Sequence, residues 1–226
     1  MLKVKIFTLF PEFFSIYLKS SILGRALEKK LWYYEIISIR DYGITKYKKV
    51  DDIPFGGGSG MILRADVIAS AIDDNCDKNT KIYYMSPRGR VFKQENTKEI
   101  IENKEISIIC GRYEGIDQRV IDYYNIEELS IGDYILTGGE IPAIVIIDAC
   151  VRAIDGAIEK ESFRNESFMD NLLEEPLYTR PLEWREITVP DILRSGHHAK
   201  INEWKLKERE NITKKRRKDM WKKYNK

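Results

Sequence analysis

The chain has little histidine: two of its 226 residues, adjacent at His197 and His198. Any mechanism that needs a catalytic imidazole must use that pair, which disfavours a Ser-His-Asp hydrolase. Cysteine is also scarce. Cys76, Cys110 and Cys150 are odd in number and far apart, with no Cys-x-x-Cys pair. That excludes a disulfide framework and a zinc ribbon and points to a reducing, cytoplasmic setting. No segment approaches the roughly 20 apolar residues of a membrane-spanning helix; the best, Ala143 to Val151, carries Asp148. The opening MLKVKIFTLFPEFF lacks a small-residue cleavage site and reads as a strand. The common phosphate loops are missing as well. There is no GxxxxGK(S/T), so a P-loop kinase is excluded. Gly56-Gly57-Gly58-Ser59-Gly60-Met61 fails GxGxxG because Met61 stands where a glycine is required, and no strand leads directly into it. An ordinary dinucleotide-binding dehydrogenase is therefore disfavoured.

What is present suffices for a core. Hydrophobic residues make up 43% of the chain, with 13 Tyr, 8 Phe and 4 Trp. The length fits one large domain, or one domain with a smaller appendage. A mean hydropathy of −0.42 fits a water-soluble chain. The net charge of +2 conceals an asymmetry. From Arg194 to Lys226 there are 13 Lys/Arg against 4 Asp/Glu, while the preceding 193 residues carry 25 against 32. A basic tail on an acidic body fits a polyanionic partner; it equally fits a solvated helix end whose cations suit the terminal dipole.

The first 155 residues alternate strand and helix patterns. Strands are expected over residues 3–10, 31–39, 81–85, 105–110 and 127–131. Helices are expected after Pro11, from Ser20 or Ser21 to Lys30, and over 65–72, 94–102, 117–123 and 140–155. Such alternation predicts a mostly parallel α/β sheet with ligands at the strand C-termini. Glu140 to Asp155 is apolar on most faces, with Pro142 in its first turn, and should be buried. The boundaries expected are an α/β domain over 1–156, a polar linker or flap over 157–175, and a small, basic helical domain over 176–226. In the last, a helix over 190–194 ends at Gly196, and a longer one starts near Ala199 and carries Ile201 and Trp204.

Three short, glycine-bearing loops each follow an apolar strand. They are Met85-Ser86-Pro87-Arg88-Gly89, Cys110 to Asp117 and Ser130 to Glu140. Glycine lets a backbone approach a ligand closely. Three such loops in one α/β unit point to a binding site that would suit a flat base with an amino-acid tail, walled by Ile131, Tyr134 and Leu136. The residues themselves name no ligand.

The runs CGRYEGIDQRV, SIGDYILTGGEIPA and PLYTRP, followed by SGHHAKINEW, together resemble the bacterial tRNA (guanine-37-N1)-methyltransferases, the TrmD type of the SPOUT class. FTLFPEFF, DDIPFGGGSGM and MSPRG match as well, so the resemblance extends in order from Met1 to about Trp204. It implies a deep trefoil knot within the α/β domain, an exception to unthreaded topology. It also implies an obligate homodimer with a shared active site, tRNA as partner, and S-adenosyl-L-methionine as methyl donor, with Mg²⁺ as a candidate assistant. No metal ligand is assigned. On this resemblance the donor is held by Gly111 and the run Ile131, Gly132, Asp133, Tyr134, Ile135 and Leu136. Met85, Ser86, Pro87, Tyr113, Gly138 and Gly139 lie nearby.

Methylation of guanine N1 needs a base to remove the N1 proton and a positive group for the charge that spreads to O6. By the resemblance the base is the residue just before a Ser-Phe pair. Here that residue is Glu166, where the family has Asp; Asp170 is the competing carboxylate. Arg152 aligns with the group that holds O6, and Asp148, four residues earlier, is placed to pair with it. Glu114 matches a functional position near the donor and the target base, while Arg112 beside it offers an ordinary ion pair. Other readings stay open at this point: a SPOUT methyltransferase for another RNA nucleotide, and a tRNA-binding protein without catalysis.

Overall fold

β1 (Leu2–Thr8) is buried along nearly its whole length, the mark of a strand covered on both faces of a sheet. It pairs on one side with β2 (Trp32–Ser38) and on the other with β6 (Glu105–Ile109). The computed structural model, which describes residues 1–159 and 166–225, completes this sheet with β5 (Lys81–Val91) and β7 (Glu127–Ser130). The order is β2-β1-β6-β5-β7, and every pairing is parallel. Two compact units are present, Met1–Glu159 and Lys160–Lys226.

The period of two along β1 sorts its side chains between two cores. Leu2, Val4 and Ile6 meet the cluster that includes Phe14 and Leu18 of α1 (Glu12–Leu18), Leu23 and Ala26 of α2 (Ser21–Glu28), Ile100 of α4 (Asn96–Glu102), and Ile146, Ile147 and Val151 of α6 (Glu140–Arg152). Phe7 faces the opposite cluster, with Val67, Ile68 and Ile72 of α3 (Ala65–Asn75) and Val120 and Ile121 of α5 (Gln118–Tyr123). Lys5 also points to that side and is only 8% exposed. Its ammonium lies 2.7 Å from Glu105 and donates to the Asn75 carbonyl at the end of α3.

Several expectations need correcting. β5 does not stop at Met85; it continues to Val91, and its ladder with β7 loses register between Met85 and Arg90. Pro87 has no N–H to donate, so the ladder breaks there and resumes beyond it. Arg88 to Glu128 at 3.0 Å, within the irregularity, and Arg90 to Glu127 at 2.6 Å, where pairing resumes, fasten the strand to β7. At the base of the glycine run, β3 (Asp51–Asp52) and β4 (Ile62–Leu63), neither among the expected strands, pair antiparallel. α6 ends at Arg152, three residues earlier than the apolar pattern suggested.

In the second unit, β8 (Glu183–Trp184) and β9 (Ile187–Thr188) form a small hairpin, followed by α7 (His198–Arg216) and α8 (Lys218–Tyr224). The helix expected before Gly196 is a 3-10 turn over Asp191–Arg194. Residues 160–165 of the expected linker, and Lys226, lie outside the described residues. Residues 166–175 pack against α7. Leu172 is fully buried, the Leu173 N–H donates to Thr213 Oγ1 at 2.8 Å, and Asp170 pairs with Arg209 at 2.7 Å. The apolar pair Leu172-Leu173 inside a polar string supplies the reason this stretch folds. Trp204 is half-buried and packs on Tyr178, with ring centroids 6.4 Å apart. Among the described residues no helix is long and apolar enough to cross a membrane.

Candidate active site

The C-terminal ends of β6 and β7 and the irregular middle of β5 open into a cavity of about 260 Å³. In a parallel sheet the strand ends leave backbone groups unpaired, and a change in strand order separates the loops that follow. Three loops form the walls. The irregular part of β5 brings Met85, Ser86 and Pro87; the loop after β6 brings Gly111, Tyr113 and Glu114; the loop after β7 brings Ile131, Gly132, Tyr134, Ile135, Leu136, Gly138 and Gly139. Twelve of the thirteen residues expected around a donor thus line one cavity. The exception is Asp133, exposed on the outside of the same loop.

Backbone approach sets the shape of the cavity. The Gly139 N–H donates to the Gly111 carbonyl at 2.9 Å. A Cβ on Gly139 would stand 2.7 Å from Cys110 Cα, and one on Gly111 would stand 2.7 Å from the Tyr84 ring. Both positions therefore need glycine for space. The β7 loop folds on itself: Tyr134 Oη donates to the Ile131 carbonyl at 3.0 Å, and the Gly132 N–H donates to Ser130 Oγ at 3.2 Å. Tyr134 and Ile135 are 54% and 80% exposed, an apolar flange set at the cavity mouth.

Charge at the site is concentrated in one pair. Arg112 Nε lies 3.0 Å from Glu140 Oε2, and Glu140 is 1% exposed. The ordinary ion pair anticipated between Arg112 and Glu114 is thus replaced by one with Glu140. Glu114 lines the cavity, tethered by its backbone N–H to the Met61 carbonyl at 2.9 Å, which brings the glycine-rich segment to the site. Beneath the floor, burial pushes the Cys110 thiol well above its usual range, so it remains a neutral packing group. Burial likewise raises the phenol of Tyr84.

The remaining catalytic candidates are Arg152, Glu166 and Asp170. Arg152 is the last residue of α6 and Pro142, near its start, lines the cavity; ten residues at about 1.5 Å each separate them by about 15 Å along the axis. Arg152 shares a helix stripe with Ile141, Val145 and Asp148, spaced four, three and four residues apart. Ile141 and Val145 are 48% and 42% exposed. Asp148 accepts a hydrogen bond from Tyr17 of α1 at 2.8 Å, which raises the phenol's pKa. Glu166 and Asp170 belong to the second unit. Asp170 is committed there, accepting from Arg209 and from the Leu172 N–H, while Glu166 is half-buried. Among the described residues no group of three or more His, Cys, Asp and Glu side chains is gathered for a metal.

Sequence reasoning passed over Tyr84, Arg112, Ser130, Thr137 and Pro142 as wall residues. All but Tyr84 lie within the runs quoted above, and Tyr84 directly precedes Met85, so position was the available signal.

Comparison with known proteins bears on the whole chain. A family model described as tRNA (Guanine-1)-methyltransferase TrmD matches residues 2–223. A tRNA (guanine-N(1)-)-methyltransferase of Rickettsia akari is 49% identical over 98% of each chain. Proteins of the same name from Pelagibacter ubique and Ehrlichia canis are 46% and 49% identical, over 100% of both chains for the first and 97% and 95% for the second.

Proposed function

The chain belongs to the TrmD family of tRNA (guanine-1)-methyltransferases, and from that premise we propose that it transfers a methyl group from S-adenosyl-L-methionine to N1 of guanosine at position 37 of tRNA. The observation that carries the reading is the cavity at the ends of β6 and β7 and the irregular middle of β5, where three separate runs of the family resemblance converge. Its fit to the donor rests on Gly111 and Gly139, whose missing side chains let the loop after β6 and the start of α6 pack against each other and against the Tyr84 ring at the cavity wall, with apolar walls from Ile131, Tyr134 and Leu136 to take a flat base. Bound there, the donor supplies an electrophilic methyl on a sulfonium. We take the sheet order β2-β1-β6-β5-β7 to be that of a knotted SPOUT domain, threaded through the loops that form the cavity.

In this reading the protein supplies three things. Glu166 receives the N1 proton of guanine as the nucleophile forms. Arg152 holds O6 and balances the charge that spreads onto it. The cavity walls and Glu114 fix the line of approach, since positioning dominates a direct displacement. Arg152 stands about 15 Å along α6 from Pro142 at the cavity wall, which supports a second copy as the means of bringing it to the donor. The exposed stripe Ile141 and Val145, together with Phe13, Ile16 and Tyr17 on α1, supplies the apolar surface for a homodimer. Arg152 lies on the same stripe as Ile141 and Val145 and so at that interface. The exposed cations Lys200, Lys207, Lys214, Lys215, Lys218 and Lys222 on α7 and α8 would bind the tRNA backbone. The reaction belongs where tRNA is, in the cytoplasm. A magnesium ion finds no assembled ligand set among the described residues, and no step is assigned to it.

The test pairs chemistry with complementation. Labelled donor and an unmodified tRNA transcript should yield 1-methylguanosine on nucleoside digestion. Arg152→Ala and Gly139→Val, each inactive alone, should recover part of the activity when their subunits are mixed and re-associated. A product methylated at any other atom would overturn the assignment. Failure to complement would overturn the shared site.

A further inference from the structure

Arg112 occupies an unusual position for a loop arginine. Its Nε lies 3.0 Å from Oε2 of the buried Glu140, a charge pair in which the N–H is not aimed at that oxygen. Its Nη1 donates to the Thr137 carbonyl at 3.2 Å, and its guanidinium lies 4.5 Å over the Phe10 ring. Glu140 is anchored from the other side, accepting from Thr8 Oγ1 at 2.9 Å, and the same Thr8 oxygen accepts the Phe10 N–H at 3.0 Å. One guanidinium therefore joins three segments: the end of β1, the loop after β6 and the turn into α6.

Two physical facts make this more than packing. A carboxylate as buried as Glu140 is costly without a cation beside it, so Arg112 is held in place by a strong constraint. The space is also defined, because a Cβ on Gly138 would stand 2.4 Å from Arg112 Nε. A planar fork that donates, pairs and stacks at once cannot be replaced by the point charge of lysine.

We propose that Arg112 is a positioning residue for the methyl donor: anchored on Glu140 and stacked on Phe10, it clamps the loop after β6 to the turn at Thr137 and Gly138 and so sets the spacing between two walls of the donor cavity. The proposal rests on the donor-site reading above. Arg112 itself borders the cavity, but its charge is already met by Glu140; it acts on the donor through the neighbouring walls at Tyr113, Glu114 and Gly138. The clamp keeps those walls at binding distance before the donor arrives, which lowers the ordering cost of binding.

The experiment compares wild type with Arg112→Ala, Arg112→Lys and Glu140→Gln. Donor affinity is measured by calorimetry with S-adenosyl-L-methionine and with its demethylated product. Steady-state constants and the melting temperature without ligand are measured alongside. Arg112→Ala should raise the donor Kd and KM tenfold or more. Arg112→Lys, which keeps a cation near Glu140 but loses the fork and the stack, should keep the melting temperature within a few degrees of wild type and still raise Kd several-fold. Glu140→Gln, with the anchor weakened and the fork retained, should fall between wild type and Arg112→Ala. A folded Arg112→Lys protein with wild-type donor affinity would overturn the proposal, whatever Arg112→Ala does to stability. A wild-type protein that binds neither ligand would instead sink the donor-site reading itself.

Discussion

The contact between Gly139 and Cys110-Gly111 is backbone against backbone and gives a quantitative test. In Gly139→Ala the new methyl would lie 2.7 Å from Cys110 Cα and 2.9 Å from Gly111 N, where ordinary contact begins near 3.4 Å. Both obstacles are backbone, so no side chain can swing away. The start of α6 must retreat by about 0.7 Å, lengthening the 2.9 Å hydrogen bond from the Gly139 N–H to the Gly111 carbonyl. Overpacking of this kind costs about 1–3 kcal/mol, which lowers the melting temperature by roughly 3–10 °C in a chain of this size. The functional cost should be larger in proportion. The two walls that move apart are those that grip the donor, and misplacement approaching 1 Å costs up to about a hundredfold. Calorimetric titration at 20 °C, well below unfolding, should therefore give a donor Kd at least tenfold above wild type. A folded Gly139→Ala protein that binds donor within twofold of wild type would refute the account of the cavity.

Glu166→Gln should lower the single-turnover methyl-transfer rate by about 10²- to 10⁴-fold with donor Kd unchanged, whereas Asp170→Asn should chiefly cost stability, because Asp170 pairs with Arg209 at 2.7 Å; near wild-type turnover in Glu166→Gln would remove it as the base. The Lys5 ammonium holds the Glu105 carboxyl below its usual range, and that carboxylate in turn raises Lys5 against the opposing effect of burial. A carboxyl depressed in the folded state contributes stability that is full above its unfolded value of about 4.3 and is lost as pH falls through the lower folded value. Unfolding free energies of Glu105→Gln from urea titrations should therefore sit below wild type at pH 7, by about 1–3 kcal/mol, and converge towards it below pH 4; parallel curves would refute the pairing. Binding of tRNA should weaken steeply with salt, and each of Lys207→Ala and Lys215→Ala should reduce the slope of log K against log salt by about one; an unchanged slope would place the RNA elsewhere.

Local pattern carried much of the fold. β1, β2 and β6 show as apolar runs between turn residues, α3 shows through apolar spacing, and α6 through its apolar faces and a proline in the first turn. What escaped depends on contacts distant in sequence. β5 continues beyond Pro87 because β7 resumes pairing at Arg90, and no property of MSPRG announces that. The stretch at 166–175 reads as linker by composition, yet Leu172 is buried against α7. The cavity walls were legible because their loops are glycine-punctuated, but the Arg112–Glu140 pair spans 28 positions and competes with the nearer Glu114. Arg152 illustrates the opposite case. Its place in the sequence suggested a role, and the length of α6, which sets it about 15 Å along the axis from Pro142, is the ground on which a second chain is proposed.

The most direct test of the central claim is methyl transfer from labelled S-adenosyl-L-methionine to two unmodified tRNA transcripts, one with guanosine at position 37 and one with adenosine there. The account predicts label in the guanosine transcript alone, recovered as 1-methylguanosine. Label in both, or in neither while the donor still binds, would contradict it.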